Sequence, residues 1–334
     1  MIAACRTTSP APEATAAPLV FVSNEDSSDV TVIDSATDAV VRTIFVGKRP
    51  RGLRVSRDGR TLYVAVSGSP RAPPGVDEST LPPPDRDADG IAAVDVQTGK
   101  LLRTYESGPD PESFDLSADG RFLYASNEDA ATATVLELAS GKIQTAIPVG
   151  QEPEGVTVHP GGRWLYVTSE GDDAVFVIDT ATRAVTSTLK TNLRPRAVAF
   201  TPDGHRGFIT TEAGGAVMVV DADKPAVVAE LKIDSPGARP MGVAVAPDGR
   251  HAYVTCGRGG QVAEIDARAG KVSRVVEKVG ARPWGVAITA DGKKLYTANG
   301  LGNDVSVIDR ASGQVLRRIP AGRLPWGVAI SPAR

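Results

Sequence analysis

The sequence predicts an all-β fold, a seven-bladed β-propeller with four antiparallel strands in each blade. The first observation is a segment of about 42 residues that recurs along the 334-residue chain. The second is that the seventh copy is divided between the two ends, with GVAISPAR at 327–334 and apolar strands at 19–24 and 29–44. Repeats of this length are typical of propellers and solenoids. A copy divided between the termini predicts a ring, closed by pairing of the N-terminal strands with a C-terminal strand.

Each repeat predicts four strands, which we call a to d from the ring axis outward. Strand a is apolar, as in GVAV (242–245), and an Asp-Gly pair such as Asp248-Gly249 turns the chain into strand b. Strand c has the pattern V-x-V-I-D, and a Thr-Gly turn leads to strand d. Asp-Gly between apolar runs is a strong hairpin signal. One four-stranded sheet is too small to be stable alone, but seven sheets packed in a ring bury one another.

A proline precedes strand a in every repeat, and we call these residues the linker prolines. They are Pro50, Pro111, Pro153, Pro195, Pro240, Pro283 and Pro325. The first spacing is 61 residues against the usual 42, and the surplus of 19 lies in the proline-rich segment 67–90. Proline at this density cannot pair into a sheet. We therefore expect a tether at 1–18, and a propeller at 19–334 with an inserted loop at 67–90 between strands b and c of blade 1.

The composition argues against nucleic-acid binding and against a transmembrane helix. The net charge is −3 and 23% of the residues are charged, so no nucleic acid is expected as a partner. No run of 18 apolar residues occurs, and the sequence therefore predicts no transmembrane helix. We expect a monomer.

The N-terminal segment suggests an extracytoplasmic location. Cys5 ends IAAC, which resembles the lipobox of bacterial lipoproteins, and the Pro/Ala/Thr-rich segment 6–18 has the composition of a flexible tether. Cys5 is the predicted lipidation site, and the periplasm or cell surface is the predicted location. The charged start and apolar core of a signal peptide are lacking. The alternative is an N-terminal tail without a lipid anchor.

Several segments resemble the YVTN-type β-propeller repeat family over residues 19–334. They are LYVT (165–168), DVSVID (304–309) and RPWGVAITADG (282–292). A narrower resemblance is to seven-repeat propellers associated with pyrroloquinoline-quinone-dependent alcohol catabolism. It rests on SGPDPESFDLSADG (107–120), PVGQEPEGV (148–156), NDVSVID (303–309) and GRLPWGVAI (322–330). It implies an accessory role near quinoprotein alcohol oxidation. The eight-bladed ring, tryptophan docking motifs and vicinal disulfide of quinone-binding enzymes are not found, so no cofactor is expected.

Topology places the linkers between blades and the b–c loops on one face, at the mouth of the central channel. The residues that flank the linker prolines make blade 1 and blades 4 to 7 basic, and blades 2 and 3 acidic. The predicted ligand-binding residues are Arg49, Arg51, Glu112, Glu154, Arg194, Arg196, Arg239, Arg282, Trp284 and Trp326. Arginine binds carboxylate and phosphate groups in a bidentate manner. The alternative is that these charges pair across neighbouring blades and bind nothing.

Other reactive side chains predict no metal site and no catalytic residue. His159, His205 and His251 come from different blades and lie near the a–b hairpins, on the face opposite the mouth. Cys256 fills a position that holds Ser or Thr in other blades, which predicts a buried small residue. Asp85, Asp87 and Asp89 match the first half of a calcium loop, but no late carboxylate completes it, so calcium binding is not expected. No nucleophile motif occurs.

Three functional hypotheses follow. The first is a non-enzymatic extracytoplasmic propeller that binds a partner protein or a small anionic metabolite at the channel mouth. The second is a lactonase-like hydrolase that uses Arg and Glu residues at the mouth. The third is a surface structural or adhesion protein, which would show no small-molecule binding.

Overall fold

The predicted fold class is confirmed. The computed structural model describes residues 17–71, 76–77 and 80–333, and these contain 28 β-strands. The strands form seven four-stranded antiparallel sheets, one for each repeat. Short 3-10 turns occur at Arg86–Ala88 and Glu128–Ala130. Within the described ranges, no helix is long and apolar enough to cross a membrane.

We number the blades by their linker prolines, and give the strands of each blade in the order a, b, c, d. Blade 1 consists of β4 (Leu53–Val55), β5 (Thr61–Val66), β6 (Gly90–Asp95) and β7 (Leu101–Tyr105). Blade 2 consists of β8 (Pro111–Leu116), β9 (Phe122–Asn127), β10 (Thr132–Glu137) and β11 (Lys142–Pro148). Blade 3 consists of β12 (Pro153–Val158), β13 (Trp164–Ser169), β14 (Ala174–Asp179) and β15 (Ala184–Lys190). Blade 4 consists of β16 (Pro195–Phe200), β17 (Arg206–Thr211), β18 (Ala216–Asp221) and β19 (Ala226–Lys232).

The remaining three blades follow the same order. Blade 5 consists of β20 (Pro240–Val245), β21 (His251–Cys256), β22 (Gln261–Asp266) and β23 (Lys271–Val276). Blade 6 consists of β24 (Pro283–Ile288), β25 (Lys294–Asn299), β26 (Asp304–Asp309) and β27 (Val315–Pro320). Blade 7 consists of β28 (Pro325–Ile330), β1 (Leu19–Asn24), β2 (Asp29–Asp34) and β3 (Ala39–Phe45).

The ring closes in blade 7, as the divided repeat predicts. Strand β28 from the C-terminal end pairs antiparallel with β1, with Phe21 opposite Ala329. The Ser331 amide donates to the Leu19 carbonyl at 2.8 Å and extends the ladder by one bond. Because the two ends of the chain complete one sheet, this blade has no unpaired edge between its strands a and b.

The hydrophobic core lies between the blades. The buried apolar residues form seven clusters, and each cluster draws its members from two consecutive blades. In one of them Phe21 and Val32 of blade 7 pack with Leu62 and Val94 of blade 1. A blade therefore buries both of its faces only inside the ring, which explains why the repeats are stable together.

A β-bulge recurs after the linker proline in blades 2 to 7 and positions the residue that follows it. In blades 2 to 7 the a–b pairing shifts by one residue after this proline, as a β-bulge does. In blade 5 the bulge amide of Gly242 donates to the Thr255 hydroxyl at 2.9 Å, and this hydroxyl donates to the Trp284 carbonyl of blade 6. Gly285 lies so near the next blade that a Cβ would stand 2.7 Å from the Trp326 carbonyl oxygen. Strands a can therefore approach closely around the channel.

The inserted loop is attached to the mouth face by ion pairs. Asp85 pairs with Lys48 at 2.6 Å, and Arg86 pairs with Asp129 of blade 2 at 2.6 Å. Arg71, at the other end of the loop, pairs with Asp26 of blade 7 at 3.0 Å. The loop thus connects blade 1 with both of its neighbours at the mouth.

Candidate functional site

Seven residues, one from each blade, converge on a single cavity at the channel mouth. They are the residues directly after the linker prolines, and we call them the mouth ring: Arg51, Glu112, Glu154, Arg196, Met241, Trp284 and Trp326. The cavity has a volume of about 270 Å³ and continues between the apolar strands a. In ring order the first four residues are charged, and the last three are apolar. We call these two sets the charged arc and the apolar arc.

Arg51 is the centre of a buried ion cluster in the charged arc. Its side chain is only 1% exposed and contacts Glu112 and Asp110 of blade 2. A further carboxylate, Glu128, lies 3.7 Å away, and the Pro111 carbonyl accepts a hydrogen bond at 2.9 Å. A buried guanidinium requires such compensation, because an unpaired buried charge loses its hydration. The partners of Arg51 come from the next blade, so this cluster joins blades 1 and 2.

The same cluster contains more carboxylates than arginines. Burial, together with the neighbouring Glu112, raises the pKa of Glu128 to about 9. Burial also raises the pKa of Glu25, which accepts a hydrogen bond from Arg49 Nε at 3.0 Å. At neutral pH the Glu128 carboxyl group therefore carries a proton. Protonation of this carboxyl group relieves its repulsion from Glu112 and Asp110.

Arg196 is the centre of a second cluster, which joins blades 3 and 4. Its guanidinium contacts Glu154, lies 2.7 Å from Glu170, and donates to Glu212 at 2.7 and 2.9 Å. Arg194 pairs with Glu170 from the solvent side. Burial alone would raise the pKa of Glu212, but Arg196, with Arg194 and Arg282, outweighs that effect and the pKa is lowered. The Glu212 carboxyl group is thus held as a carboxylate by these arginines.

The apolar arc forms an aromatic corner. The rings of Trp284 and Trp326 lie edge to face, with centroids 6.2 Å apart and an interplanar angle of 63°. The buried Met241 side chain lines the cavity beside them. Trp284 Nε1 is buried and has no hydrogen-bond acceptor among the described residues. This arc presents flat apolar surface and one unsatisfied donor.

The arginines next to the apolar arc differ from those in the charged arc. Arg282 stands over the Trp284 ring, with its Cζ atom 4.9 Å from the ring centroid, in a cation–π contact. Within the ranges that the structure describes, this guanidinium forms no ion pair. Burial is the largest cause that lowers the pKa of Arg282. Glu212 opposes the shift, and the nearby Arg196, Arg258 and Arg71 lower the pKa further. The charge of Arg282 is therefore compensated only in part, by the longer-range attraction of Glu212.

The residues before the linker prolines have an unexpected backbone conformation. Six of these seven have a positive φ of 42–58°: Arg49, Asp110, Glu152, Arg194, Arg282 and Leu324. For residues other than glycine this left-handed conformation costs about 1–2 kcal/mol. Since each stands at the mouth, the sharp turn brings the residues on both sides of the proline to the same face. The sequence carries no signal for this turn beyond the proline itself.

The structure brings most of the predicted binding residues together. Arg51, Arg49, Glu112, Glu154, Arg196, Trp284 and Trp326 line one cavity. Arg239 donates to the carbonyl of Ala213 at 3.1 Å, and Arg194 is paired with Glu170. In the charged arc the charges pair across neighbouring blades, as the alternative interpretation expected. Arg282 does not form such a pair with the described residues. Ligand binding by these residues stays a prediction. Sequence reasoning placed Glu128 on this face, through its b–c loop, but missed Arg71 and Arg258 as neighbours of the site.

Of the cysteines and histidines that the sequence singled out, those among the described residues do not line the cavity at the mouth. Cys256 is buried, as expected, and burial raises the pKa of its thiol to about 12. His159 bonds to the Gly204 carbonyl at 2.7 Å, and His205 pairs with Asp223, both on the hairpin face. The predicted lipidation site, Cys5, lies outside the described residues.

The acidic motif at 85–89 attaches the inserted loop. Asp89 Oδ1 accepts a hydrogen bond from the Gly68 amide at 2.8 Å, and its Oδ2 accepts one from the Asp110 amide at 3.1 Å. In the described part of the chain, no group of three or more His, Cys, Asp or Glu side chains could hold a metal ion. The role of Asp85 and Asp89 in this structure is therefore to hold the loop.

These features define a class of protein: a seven-bladed β-propeller with a ligand-sized cavity at the channel mouth. Two family models match parts of the chain. A model described as the cytochrome D1 heme domain matches residues 203–329, and a YNCE-like beta-propeller model matches residues 77–163. Each match covers less than half of the chain, and together they support membership of the β-propeller families.

Individual proteins are similar to parts or to the whole of the chain. Antigen Lp49 of Leptospira interrogans serogroup Icterohaemorrhagiae serovar copenhageni (strain Fiocruz L1-130) is 29% identical over 32% of this chain and 30% of its own length. The chain thus spans less than a third of that relative. Periplasmic gluconolactonase of Pseudomonas aeruginosa has a TM-score of 0.75 at 22% identity, covering 95% of this chain and 99% of that one. Hydrazine synthase of Kuenenia stuttgartiensis has a TM-score of 0.71 at 22% identity, covering 85% and 90%. At this identity the similarity shows the fold alone.

The residues at the mouth do not fit a haem. Haem iron in proteins is held by His, Cys, Met or Tyr. Among the residues that line the cavity, Met241 is the one side chain of these types, and it is buried. The described histidines that make hydrogen bonds lie on the opposite face. We therefore derive no step through a haem group.

Proposed function

We propose that this protein binds a small anionic ligand at the channel mouth and performs no chemistry on it. One observation carries the proposal, namely that Arg282, which contacts the cavity residue Trp284, has no ion-pair partner among the described residues, beside a cavity of about 270 Å³. Arg51 and Arg196 have carboxylate partners, whereas Arg282 lies over the face of Trp284 and forms no ion pair with the described residues. A ligand carboxylate or phosphate would supply the missing countercharge.

The charged arc supports this proposal by keeping the ligand on one side. Glu112 and Glu154 face the cavity from blades 2 and 3, opposite the apolar arc. Their arginine partners neutralise them, so an anion gains nothing by displacing a carboxylate there. The side of Arg282 is thus the favourable place for negative charge.

Isothermal titration with a panel of mono- and dicarboxylates and phosphorylated compounds tests this function. We expect binding to the native protein, and a loss of at least tenfold in affinity in Arg282→Gln. Arg57→Gln, an exposed arginine in a hairpin on the opposite face, is the matched control and should bind normally. Absence of heat with every anion, or equal affinity in both variants, would refute the proposal. An adhesion protein would also show no binding.

We extend the proposal to an extracytoplasmic location and a role accessory to quinoprotein alcohol oxidation. The linker motifs named above support the accessory role through their resemblance to propellers of that system. The described chain enters the propeller on the hairpin face, where the Pro18 carbonyl accepts a hydrogen bond from the Ser35 amide at 3.1 Å. A lipid anchor at Cys5 would therefore be joined to the propeller on the face opposite the mouth. Mass spectrometry of the mature N-terminus tests the lipid, and an unmodified chain retaining residues 1–6 would exclude it.

A second candidate function is lactone hydrolysis. The observation that favours it is Glu128, a carboxyl group at the mouth that is protonated at neutral pH and 32% exposed in its side chain. Such a group can act as a general acid. Turnover of a panel of lactones and esters, lost in Glu128→Gln and in Glu154→Ala, would establish hydrolysis. No turnover with any substrate would leave the binding function.

A further inference from the structure

We propose that the ligand of this mouth is an aromatic monocarboxylate with a single planar ring. The ring would lie in the corner between Trp284 and Trp326, and the carboxylate would face Arg282. This inference rests on the proposed function, since it specifies which anion the site selects. It also places the ligand in the apolar arc, away from Arg51 and Arg196.

The geometry of the two indoles carries the aromatic part. Their planes meet at 63° with centroids 6.2 Å apart, so they form two walls of an open corner. A third ring placed there can lie offset-parallel to one indole and edge-on to the other, which are the two favoured arrangements of aromatic pairs. Met241 lines the same cavity and adds a polarisable sulfur, which packs well against ring edges.

The cations beside this corner carry the carboxylate part. The Arg282 guanidinium lies 4.9 Å from the centroid of one of the two indoles. Arg282 contacts Trp284 but does not itself line the cavity, so we place the carboxylate at the rim of the cavity, next to Trp284. The planar guanidinium fork matches a carboxylate in two parallel hydrogen bonds. Trp284 Nε1, which lacks an acceptor among the described residues, is a further donor in this region.

Size and charge limit the ligand to one ring and one carboxylate. A volume of about 270 Å³ is at the lower end of the range for small-molecule sites. On the opposite side the cavity is lined by Glu25, Glu112 and Glu154. These carboxylates are paired with Arg49, Arg51 and Arg196, so a second carboxylate on the far end of the ligand would find no unpaired cation there. A neutral or hydroxylated far end leaves these ion pairs intact.

The experiment uses four probes and the intrinsic fluorescence of the full protein. The probes are benzoate, its neutral analogue benzamide, the non-aromatic cyclohexanecarboxylate, and inorganic phosphate. The sequence has three tryptophans, and Trp164 lies on the hairpin side of blade 3 under Arg163. In Trp164→Leu the emission therefore comes from the two mouth indoles alone, and this variant also serves as the binding control.

We expect benzoate to quench Trp164→Leu and to bind at least tenfold more tightly than each of the other three probes. Trp326→Leu and Arg282→Gln should each weaken benzoate binding at least tenfold, measured by calorimetry. Thermal melting verifies that the variants are folded. Should Trp326→Leu fail to fold, Trp284→Phe and Trp326→Phe, which keep an aromatic ring, should retain benzoate binding.

The outcomes separate this inference from the proposed function. If cyclohexanecarboxylate or phosphate binds as tightly as benzoate, the aromatic selection is wrong, while anion binding stands. If benzamide binds as tightly as benzoate, the carboxylate contact with Arg282 is wrong. If benzoate binding is the same in Trp326→Leu, the ring does not lie in this corner. If no anion in the wider panel binds, the proposed function itself fails.

Discussion

The charged arc and the apolar arc occupy the same backbone positions, yet they do different things with their arginines. Arg51 and Arg196 follow a linker proline and are surrounded by carboxylates from adjoining blades. At the same positions blades 6 and 7 have Trp284 and Trp326, and the neighbouring Arg282 has no carboxylate partner among the described residues. In one half the charges stabilise the ring. In the other half Arg282 stands without such an ion pair among the described residues.

The same backbone positions of the repeat hold stabilising ion pairs in one half of the ring and the proposed binding residues in the other. The bulge and the hydroxyl bridge place a side chain at the mouth in almost every blade, whatever that side chain is. Glu or Arg at adjacent positions pair and exclude other partners. In three consecutive blades the same positions hold the apolar residues Met241, Trp284 and Trp326, and these form no ion pairs. Substitutions at the mouth positions of blades 5 to 7 should therefore affect the proposed binding, and substitutions at those of blades 1 to 4 should affect stability.

The largest expected effect comes from removing the centre of the first ion cluster. Arg51→Met leaves Glu112 buried without its cation and leaves Asp110 with Arg49 alone, at 3.9 Å, which should lower the free energy of unfolding by about 3–5 kcal/mol. Arg282→Met removes a cation that is repelled by other arginines, so its effect should lie within about 0.5 kcal/mol of zero. Urea denaturation of the two variants measures both values.

A pH series distinguishes lost charge compensation from lost packing in Arg51→Met. Protonation of the carboxylates removes the unpaired charge, so the deficit relative to the native protein should shrink as the pH is lowered. A deficit that is constant with pH would mean that packing dominates. Equal destabilisation by Arg51→Met and Arg282→Met would contradict the distinction between the two arcs.

A smaller loss is expected at the second cluster. The Arg196 side chain is 15% exposed, so water can solvate the carboxylates that Arg196→Met leaves behind. We expect a loss of about 2 kcal/mol, the size of a hydrogen-bond set to charged groups. The same urea titration measures it. A loss as large as that in Arg51→Met would show that exposure does not explain the difference.

A third prediction concerns the bridge that positions Trp284. Thr255→Val keeps the shape but removes the hydroxyl, and leaves the Gly242 amide and the Trp284 carbonyl without this partner. One buried unsatisfied group costs about 1–3 kcal/mol, and relaxation should limit the loss to about 1–2 kcal/mol. The comparable Thr168→Val in blade 3 tests the charged arc. Only Thr255→Val should also alter the tryptophan emission, and unchanged emission would argue against a positioning role.

The sequence predicts the ring well because the fold depends on features that repeat. Seven linker prolines, the Asp-Gly turns and the divided repeat each specify local geometry, and their agreement determines the closed ring. The identity of the mouth residues also follows from topology. Which charges pair could not be predicted, because Arg51 and Glu112 are 61 residues apart and meet only through blade packing. The left-handed turns at residues such as Arg49 and the protonation of Glu128 depend on the finished surroundings as well.

The smallest expected effect is a pH dependence that belongs to the charged arc alone. The pKa of Glu128 is raised to about 9 in the folded protein and is about 4.3 in an unfolded chain. Between these values the folded state binds one more proton, so this group's contribution to stability is complete below about pH 4.3 and is lost as the pH rises through 9. Glu128→Gln lacks this titration, so its stability relative to the native protein should increase as the pH rises. Because the side chain is 32% exposed, solvent screens the effect. We expect a gain of about 1 kcal/mol in the free energy of unfolding of Glu128→Gln, relative to the native protein, at pH 9. Urea titrations at pH 5, 7 and 9 measure it, and a difference that does not change with pH would show that Glu128 is ionised throughout.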